Sequence, residues 1–235
     1  MRIETFRLRI LAYAKKIRSI NLLGGKCNRC GEDNIHKLCF HHINSDEKEI
    51  EINRAKYHKW STLEAEVSKC ELLCHNCHIE HHFGDDSNDL RFKNNKRLFL
   101  EYKGISSCQR CGYNKCNESL HFHHNNDKLF TLAKVSVNHR SLSEVGIDII
   151  NELDKCDVLC ANCHYMDHVD VDFYDANKNK IESKILNMRE NTPKIDRESV
   201  YDMYFNKKMR QIDISNYYNC DRGTICKIIK ELKKL

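Results

Sequence analysis

Residues 70–82 read CELLCHNCHIEHH, and residues 156–168 read CDVLCANCHYMDH. Each string holds a CxxC pair, a histidine directly after it, and a second histidine four residues later. Upstream of each string lie another CxxC pair and a HisHis pair: CNRC (27–30) and LCFHHIN (38–44) in the first copy, CQRC (108–111) and LHFHHNN (120–126) in the second. The same order with slightly different loop lengths predicts two copies of one duplicated module.

Composition places the chain among small soluble domains. Its 235 residues are 40% apolar and 31% charged, with a net charge of +5. No run of about 18 apolar residues is present, so no transmembrane helix or membrane partner is expected. The first residues, MRIETFRLRILAYAKK, lack the apolar core of a signal peptide. We therefore expect a cytoplasmic protein, in which closely spaced cysteines hold zinc more often than they form disulfides.

The cysteine spacing predicts a structural zinc ion in each module. Four thiolates arranged CxxC…CxxC can complete a tetrahedral shell around Zn²⁺ and leave no open position. The expected ligands are Cys27, Cys30, Cys74 and Cys77 in the first module and Cys108, Cys111, Cys160 and Cys163 in the second. Cys70 and Cys156 lie four residues before a ligand cysteine and could replace it. We favour them as small buried residues, because CxxC is the commoner spacing.

The flanking residues predict an α+β fold built from two small zinc-stapled modules. Segments 11–27 and 92–108 each read as a basic amphipathic helix that stops at glycine before the first cysteine. Each module is then a helix, a cysteine knuckle, a short strand carrying HisHis, a variable loop, and a second knuckle that opens a helix. The expected organisation is module 1 with its basic helix (1–86), module 2 (87–170), a linker or partly helical tether (171–194) and a helical domain (195–235).

The histidines predict a second kind of metal site. On a helix, an i, i+4 pair places both imidazoles on one face, as expected for His78 with His82 and for His164 with His168. Consecutive side chains on a strand point to opposite faces, so only one histidine of each HisHis pair can face that helix. Three imidazoles leave a metal with open positions for a phosphate oxygen, and the fourth histidine can accept a proton from water. The alternative is that these histidines are extra zinc ligands or surface polar residues.

The pattern CxxC…HH…CxxCHxxxH resembles the zinc-knuckle branch of the HNH endonucleases, the ββα-metal fold, over most of residues 20–86 and 101–170. The resemblance implies a divalent ion, Mg²⁺, Mn²⁺ or another, and two general bases, His42 and His124. Its implied ligands are His41, His78 and His82 in module 1 and His123, His164 and His168 in module 2.

One position departs from the family pattern. Lys69 and Lys155 stand where that family usually has an asparagine before the helical histidines. Two other asparagine pairs could take that role, Asn76 with Asn162 inside the knuckles, or Asn44 with Asn126 after the HisHis pairs.

Residues 195–235 resemble a helix-turn-helix. Val200, Met203 and Tyr204 are spaced for one helix and Ile212 and Tyr217 for a second; Ile225, Ile228, Ile229 and Leu232 mark a third, with Asp221 as its cap. The side chains expected to face DNA are Arg222, Thr224 and Lys227. A nuclease with such a tail is similar to phage-type homing endonucleases, which act in the host-cell cytoplasm. The alternative is a trihelical packing domain with no DNA contact.

Together these features predict a metal-dependent endonuclease that hydrolyses phosphodiester bonds of double-stranded DNA. Two intact modules in one chain predict that a monomer nicks both strands; a dimer, or one cutting and one DNA-holding module, is the weaker version. The alternative from another class is a zinc-stabilised nucleic-acid-binding regulator without catalysis, in which His42 and His124 would have no function.

Overall fold

The computed structural model describes residues 3–83, 90–125, 127–132, 146–188, 195–218, 220 and 222–233. Within these ranges the fold is mixed helix and small sheet, so the predicted α+β class is confirmed at that level. The helices are α1 (Ile3–Leu22), α2 (Trp60–Val67), α3 (His75–Phe83), α4 (Leu90–Lys103), α5 (Ile147–Asp154), α6 (Ala161–Met166), α7 (Val171–Leu186), α8 (Arg197–Tyr201), α9 (Gln211–Tyr217) and α10 (Arg222–Leu232). The strands are β1 (Leu38–His42), β2 (Cys70–Cys74), β3 (Leu120–His124) and β4 (Cys156–Cys160).

Each module is built on a two-stranded antiparallel sheet. In module 1, β1 pairs with β2, with Leu38 opposite Cys74 and His42 opposite Cys70. In module 2, the β3–β4 pair has the equivalent register, with His124 opposite Cys156. Strands β2 and β4 run directly into helices α3 and α6. The HisHis strand therefore lies beside the helix that carries the other histidines.

The helix that precedes each cysteine knuckle ends at glycine, as the sequence predicts. Helix α1 ends at Leu22 and is followed by Gly24 with φ +91°, and α4 ends at Lys103 before Gly104 with φ +62°. A residue without Cβ adopts these left-handed angles at little cost, so the chain can turn sharply into the first CxxC pair.

The apolar core of each module is small and surrounds its cysteines. Buried leucines of both strands pack with the cysteines in module 1, and the equivalent residues do so in module 2. An isolated two-stranded hairpin is marginal in water. Each module therefore needs a further constraint, which the cysteine positions can supply.

The two modules contact each other through equivalent residues. The backbone N–H of Asn76 donates to Oδ1 of Asn162 over 3.2 Å, and the N–H of Asn162 donates to Oδ1 of Asn76 over 3.1 Å. Both side chains are buried. Equivalent atoms thus exchange equivalent bonds, so this contact is locally two-fold symmetric. Tyr113 of module 2 adds a hydrogen bond to Glu80 of module 1.

The segment predicted as a linker or partly helical tether contains helix α7, which packs along α1. Phe173 and Ile181 of α7 are buried with Ile10 and Ala14 of α1. The tether interpretation missed this packing, since a polar composition hides the few apolar residues that form one helix face. No helix among the described residues is long and apolar enough to cross a membrane.

The C-terminal residues form three helical segments around one core. Helix α8 continues into a π-helical turn (Asp202–Asn206) and packs with α9 and α10. The buried residues of α9 are Ile214 and Ser215, and Tyr218 follows. Ile212 and Tyr217, which the sequence assigned to a second helix, both lie in α9. Their side chains are 44% and 68% exposed, because α9 turns its other side toward the core. Asp221 lies outside the described residues.

The reciprocal asparagine contact gives the first prediction. Asn76→Ala and Asn162→Ala each leave one buried N–H without an acceptor, so each should lower the free energy of unfolding by about 1–3 kcal/mol. Urea unfolding of the zinc-loaded chain measures the change. Asn21→Ala, an exposed change on α1, should stay within about 0.5 kcal/mol. Equal midpoints for all variants would show that the modules do not depend on this contact.

Candidate metal centres and catalytic histidines

Each set of four predicted cysteines converges on one point. The four Sγ atoms of Cys27, Cys30, Cys74 and Cys77 lie within 4.8 Å of one another, and so do those of Cys108, Cys111, Cys160 and Cys163. One Sγ–Sγ edge is 3.7 Å in module 1 and 3.6 Å in module 2. A zinc tetrahedron with Zn–S bonds of about 2.3 Å has edges of roughly 3.8 Å. Both clusters are therefore compatible with structural zinc.

The electrostatics of these clusters also fit a cation. Burial raises the pKa of Cys77 above its usual range, and the neighbouring Cys74 thiolate raises it further. Burial likewise raises the pKa of Cys27, but backbone N–H groups including that of Cys30 outweigh it and lower the value to about 7. One thiol in the cluster thus ionises readily while another resists a second negative charge. A bound divalent cation would remove that conflict.

Cys70 and Cys156 lie outside both clusters. Each is buried at the start of its strand, and its thiol faces a backbone carbonyl, that of Glu66 at 3.6 Å and that of Glu152 at 3.3 Å. This placement matches their interpretation as small buried residues rather than substitute ligands.

The predicted histidine ligands also come together in both modules. The ligand nitrogens of His41, His78 and His82 lie within 4.8 Å of one another, and those of His123, His164 and His168 do the same. His168 follows the end of α6, where its N–H bonds to the carbonyl of Tyr165 over 3.0 Å. The turn continues the helical path, so the i, i+4 geometry persists beyond the helix.

These imidazoles are suited to bind a cation. Burial, together with the neighbouring His82 and His41, lowers the pKa of His78 to about 4. Burial and the neighbouring His168 lower the pKa of His164 to about 4. Both rings are therefore neutral at neutral pH, and each offers a nitrogen lone pair.

A fourth group beside each histidine cluster differs between the modules. In module 1 it is His81, whose ring centroid lies 4.3 Å from that of His41. In module 2 the equivalent residue is Asp167, with Oδ2 3.6 Å from Nε2 of His123 and bonded to Arg110 over 2.6 Å and 2.9 Å. Sequence reasoning missed both residues, although each directly precedes the last histidine of its string.

The second histidine of each HisHis pair lies on the opposite face of the sheet, as strand alternation predicts. Nε2 of His42 lies 2.9 Å from a carboxylate oxygen of Glu66, and Nε2 of His124 lies 2.9 Å from Glu152. Neither glutamate was singled out from the sequence. Each glutamate lies three residues before the lysine that precedes its repeated string. This shared position is the sequence signal that could have identified both.

The asparagines at the two alternative positions have distinct contacts. Asn76 and Asn162 bond to each other and thus join the modules. Asn44 closes the turn after β1 by accepting the N–H of Asp46 over 3.1 Å. Asn126 lies outside the described residues. Lys69 also holds the loop after β1, because its Nζ donates to the carbonyl of Glu47 over 3.0 Å.

A cleft of about 670 Å³ opens beside His42 and extends to module 2. Its walls include Lys16 of α1, Lys48, Lys56 and His168. Burial lowers the pKa of Lys16 to about 8, so this amine remains mostly protonated at neutral pH. Glu51 and Asp170 also line the cleft, where they pair with Lys48 over 2.6 Å and with Arg9 over 2.8 Å. The positive charge beside the candidate catalytic histidine therefore comes from Lys16 and Lys56.

The predicted DNA-facing residues lie on helix α10. Arg222 and Lys227 are exposed, whereas Thr224 is half-buried. Ile225 and Ile229 hold the opposite side of the helix against the core.

No family model, curated protein or solved structure gives a significant match to this chain.

Removal of one cluster cysteine gives the second prediction. Cys77→Ala should lower the zinc content by about one ion per chain, because three thiolates hold the ion far less tightly than four. Elemental analysis of purified protein measures the ion count, and thermal unfolding should show a lower Tm. Cys39→Ala, outside both clusters, should change neither quantity. An unchanged zinc count in Cys77→Ala would contradict the assignment.

Proposed function

We propose that the chain is a metal-dependent DNA endonuclease of the HNH type, with one catalytic centre in each module. One observation carries the proposal. In each module three imidazoles, one from the hairpin and two from the following helical segment, converge on one side of the sheet, and a further histidine faces a buried carboxylate 2.9 Å away on the other side. Structural zinc alone does not require this second set of histidines, since the cysteine clusters are complete without it.

The proposed roles follow from the two faces of the strand. His41, His78 and His82 would hold a divalent ion in module 1, and the equivalent three histidines would do so in module 2. Such an ion, when bound, supplies positive charge next to a phosphate oxygen. On the opposite face, the free ring nitrogen of His42 would accept the proton of the attacking water. His124 would do the same in module 2.

The pairing of the modules supports cleavage of both strands. The antiparallel strands of a DNA duplex are related by two-fold axes, so a protein with matching symmetry can treat them equally. The reciprocal bonds between Asn76 and Asn162 support such a symmetric pairing of the modules. One chain would thus supply the two centres for which a single-module protein needs a dimer.

The charge distribution supports a polyanionic substrate. The chain carries a net charge of +5, and Lys16 and Lys56 line the cleft beside His42 in addition to the Lys48–Glu51 ion pair. We further propose that residues 195–235 are a helix-turn-helix that anchors the enzyme on DNA through Arg222 and Lys227 of α10. In this role a single tail would bind one side of a site that the two modules cut symmetrically.

The third prediction concerns the proposed bases. Wild type should linearise supercoiled plasmid with Mg²⁺ or Mn²⁺, whereas His42→Ala and His124→Ala should each only nick it, because one centre remains. The double variant should lose at least about 100-fold in rate, the usual contribution of a general base. Gel electrophoresis of the plasmid forms measures each step, and His58→Ala, outside both clusters, should behave as wild type.

Other results would support different functions. If one single variant abolished all cleavage and the other had no effect, the second module would hold DNA without cutting it. If wild type shifted DNA in a gel but cut none, the chain would be a zinc-stabilised regulator.

The fourth prediction concerns the tail. Arg222→Ala with Lys227→Ala should weaken DNA binding and reduce the slope of log affinity against log salt by about 2, one for each lost phosphate contact. Fluorescence anisotropy over a salt series measures both. The charge-matched pair Lys178→Ala and Lys184→Ala, exposed on α7, should leave the slope unchanged. An unchanged slope in the α10 variant would leave the tail as a packing domain.

A further inference from the structure

A buried carboxylate contacts Nε2 of His42. Glu66, in the last turn of α2, is 2% exposed. Its Oε1 accepts the N–H of Glu49 over 2.9 Å and the N–H of Ile50 over 3.2 Å, and the same oxygen lies 2.9 Å from Nε2 of His42. Its Oε2 lies 3.1 Å from Nζ of Lys69. Burial of a carboxylate is costly unless hydrogen-bond donors surround it, and these four groups are the donors around Glu66.

Module 2 repeats this arrangement with different loop residues. Glu152 is 0% exposed, and its Oε1 accepts the N–H groups of Leu129 over 2.9 Å and of Phe130 over 3.4 Å. The same oxygen lies 2.9 Å from Nε2 of His124, less well aligned than a regular hydrogen bond, and Oε2 lies 3.0 Å from Nζ of Lys155. The loops between the strands differ in sequence, yet both close on the same carboxylate. Packing of either loop alone does not explain this repetition.

The charge state of the carboxylate determines which ring nitrogen carries hydrogen. Burial raises the pKa of Glu66, but the N–H of Glu49 and the ring of His42 outweigh it and lower the pKa to about 2. Burial also raises the pKa of Glu152, and Lys155 and the loop N–H groups lower it to about 2. An ionised carboxylate can only accept hydrogen bonds. Nε2 of His42 must therefore carry the hydrogen, and in the neutral ring this leaves the lone pair on Nδ1. Nε2 of His124 lies at the same distance from its carboxylate, so we infer the same tautomer there.

We propose that Glu66 and Glu152 are the positioning residues of the two catalytic centres. Each fixes the ring orientation and tautomer of its histidine so that Nδ1 is the atom that accepts the proton of water. This inference rests on the proposed nuclease function. Each glutamate also ties the loop after the HisHis strand to the helix before the second knuckle. The lysine three residues later neutralises the carboxylate from the side away from the histidine.

A purely structural role makes a different prediction. If Glu66 only anchored the loop, its loss would lower stability and weaken substrate binding, and the tautomer of His42 would be unaffected. If Glu66 instead positions His42, its loss would lower kcat and change which ring nitrogen carries hydrogen. The two roles are therefore separated by a spectroscopic measurement and by the balance between kcat and KM.

The first test is spectroscopic and does not depend on cleavage. Long-range ¹H–¹⁵N correlation spectra of the zinc-loaded full chain show which imidazole nitrogen carries hydrogen, and the His42→Ala spectrum assigns the signal. We expect the Nε2–H tautomer in wild type, its retention in Glu66→Gln, and a mixture of tautomers in Glu66→Ala. The amide oxygen of glutamine can accept the same hydrogen. A wild-type Nδ1–H tautomer would overturn the proposal.

The second test, and the fifth prediction, is kinetic. In the His124→Ala background only module 1 should nick plasmid. There, Glu66→Ala should lower kcat by about 10- to 100-fold with KM within about twofold, as loss of a group that orients a reacting residue does. Glu66→Gln should recover most of the rate. Glu64→Gln, two residues away on the same helix and half-exposed, is the matched control.

The outcomes separate the two proposals. Nicking by the parent that persists unchanged in Glu66→Ala, with zinc content equal to the parent, would refute the positioning role and leave the nuclease intact. A parent that does not nick, with the expected tautomers in all three spectra, would refute the nuclease and leave the carboxylate as the group that orients the ring. If Glu66→Ala does not fold, the tautomer and rate of Glu66→Gln decide: an Nδ1–H ring or a rate as low as that of His42→Ala would overturn the proposal.

Discussion

Convergence of four cysteine sulfurs at one point is the constraint on which each module depends. A two-stranded sheet with a few buried leucines has too little apolar area to offset the entropy of ordering the chain. The Sγ edges of 3.7 Å and 3.6 Å show that the two knuckles of each module meet at zinc-binding distance. Joining the knuckles fixes the register of the hairpin and the direction in which α3 and α6 leave it. The histidine geometry follows from that direction.

The two faces of one short strand separate two chemical tasks. Because successive side chains alternate, His41 and His42 are adjacent in the chain but serve opposite sides of the sheet. His41 lies with two helical imidazoles, and burial lowers the pKa of His41 and of His78, which favours the neutral, cation-binding form of these two rings. His42 meets the buried carboxylate of Glu66. The proposed metal site and proposed base are thus held apart by the strand itself.

Duplication makes the two modules similar, and they differ in particular side chains. Across the module interface, Asn76 and Asn162 each donate a backbone N–H to the side-chain oxygen of the other. Beside the histidine clusters, however, module 1 has His81 where module 2 has Asp167. Module 1 also offers a carboxylate here, since Glu71 lies with His41 and His81 within 4.8 Å. The groups around the two proposed metal sites therefore differ, although the three-histidine sets agree.

Local spacing in the sequence determined the duplicated plan: the α+β class, the cysteine sets, the i, i+4 histidines and the glycine ends of the preceding helices. These features depend on residues a few positions apart, whose relative placement the backbone dictates. Only the tertiary structure decided the partners that are far apart in the chain. Glu66 reaches His42 and Asn76 reaches Asn162, while Phe173 packs on α1. Loops of variable length bring these partners together. The periodicity of the sequence does not predict where a loop places a side chain.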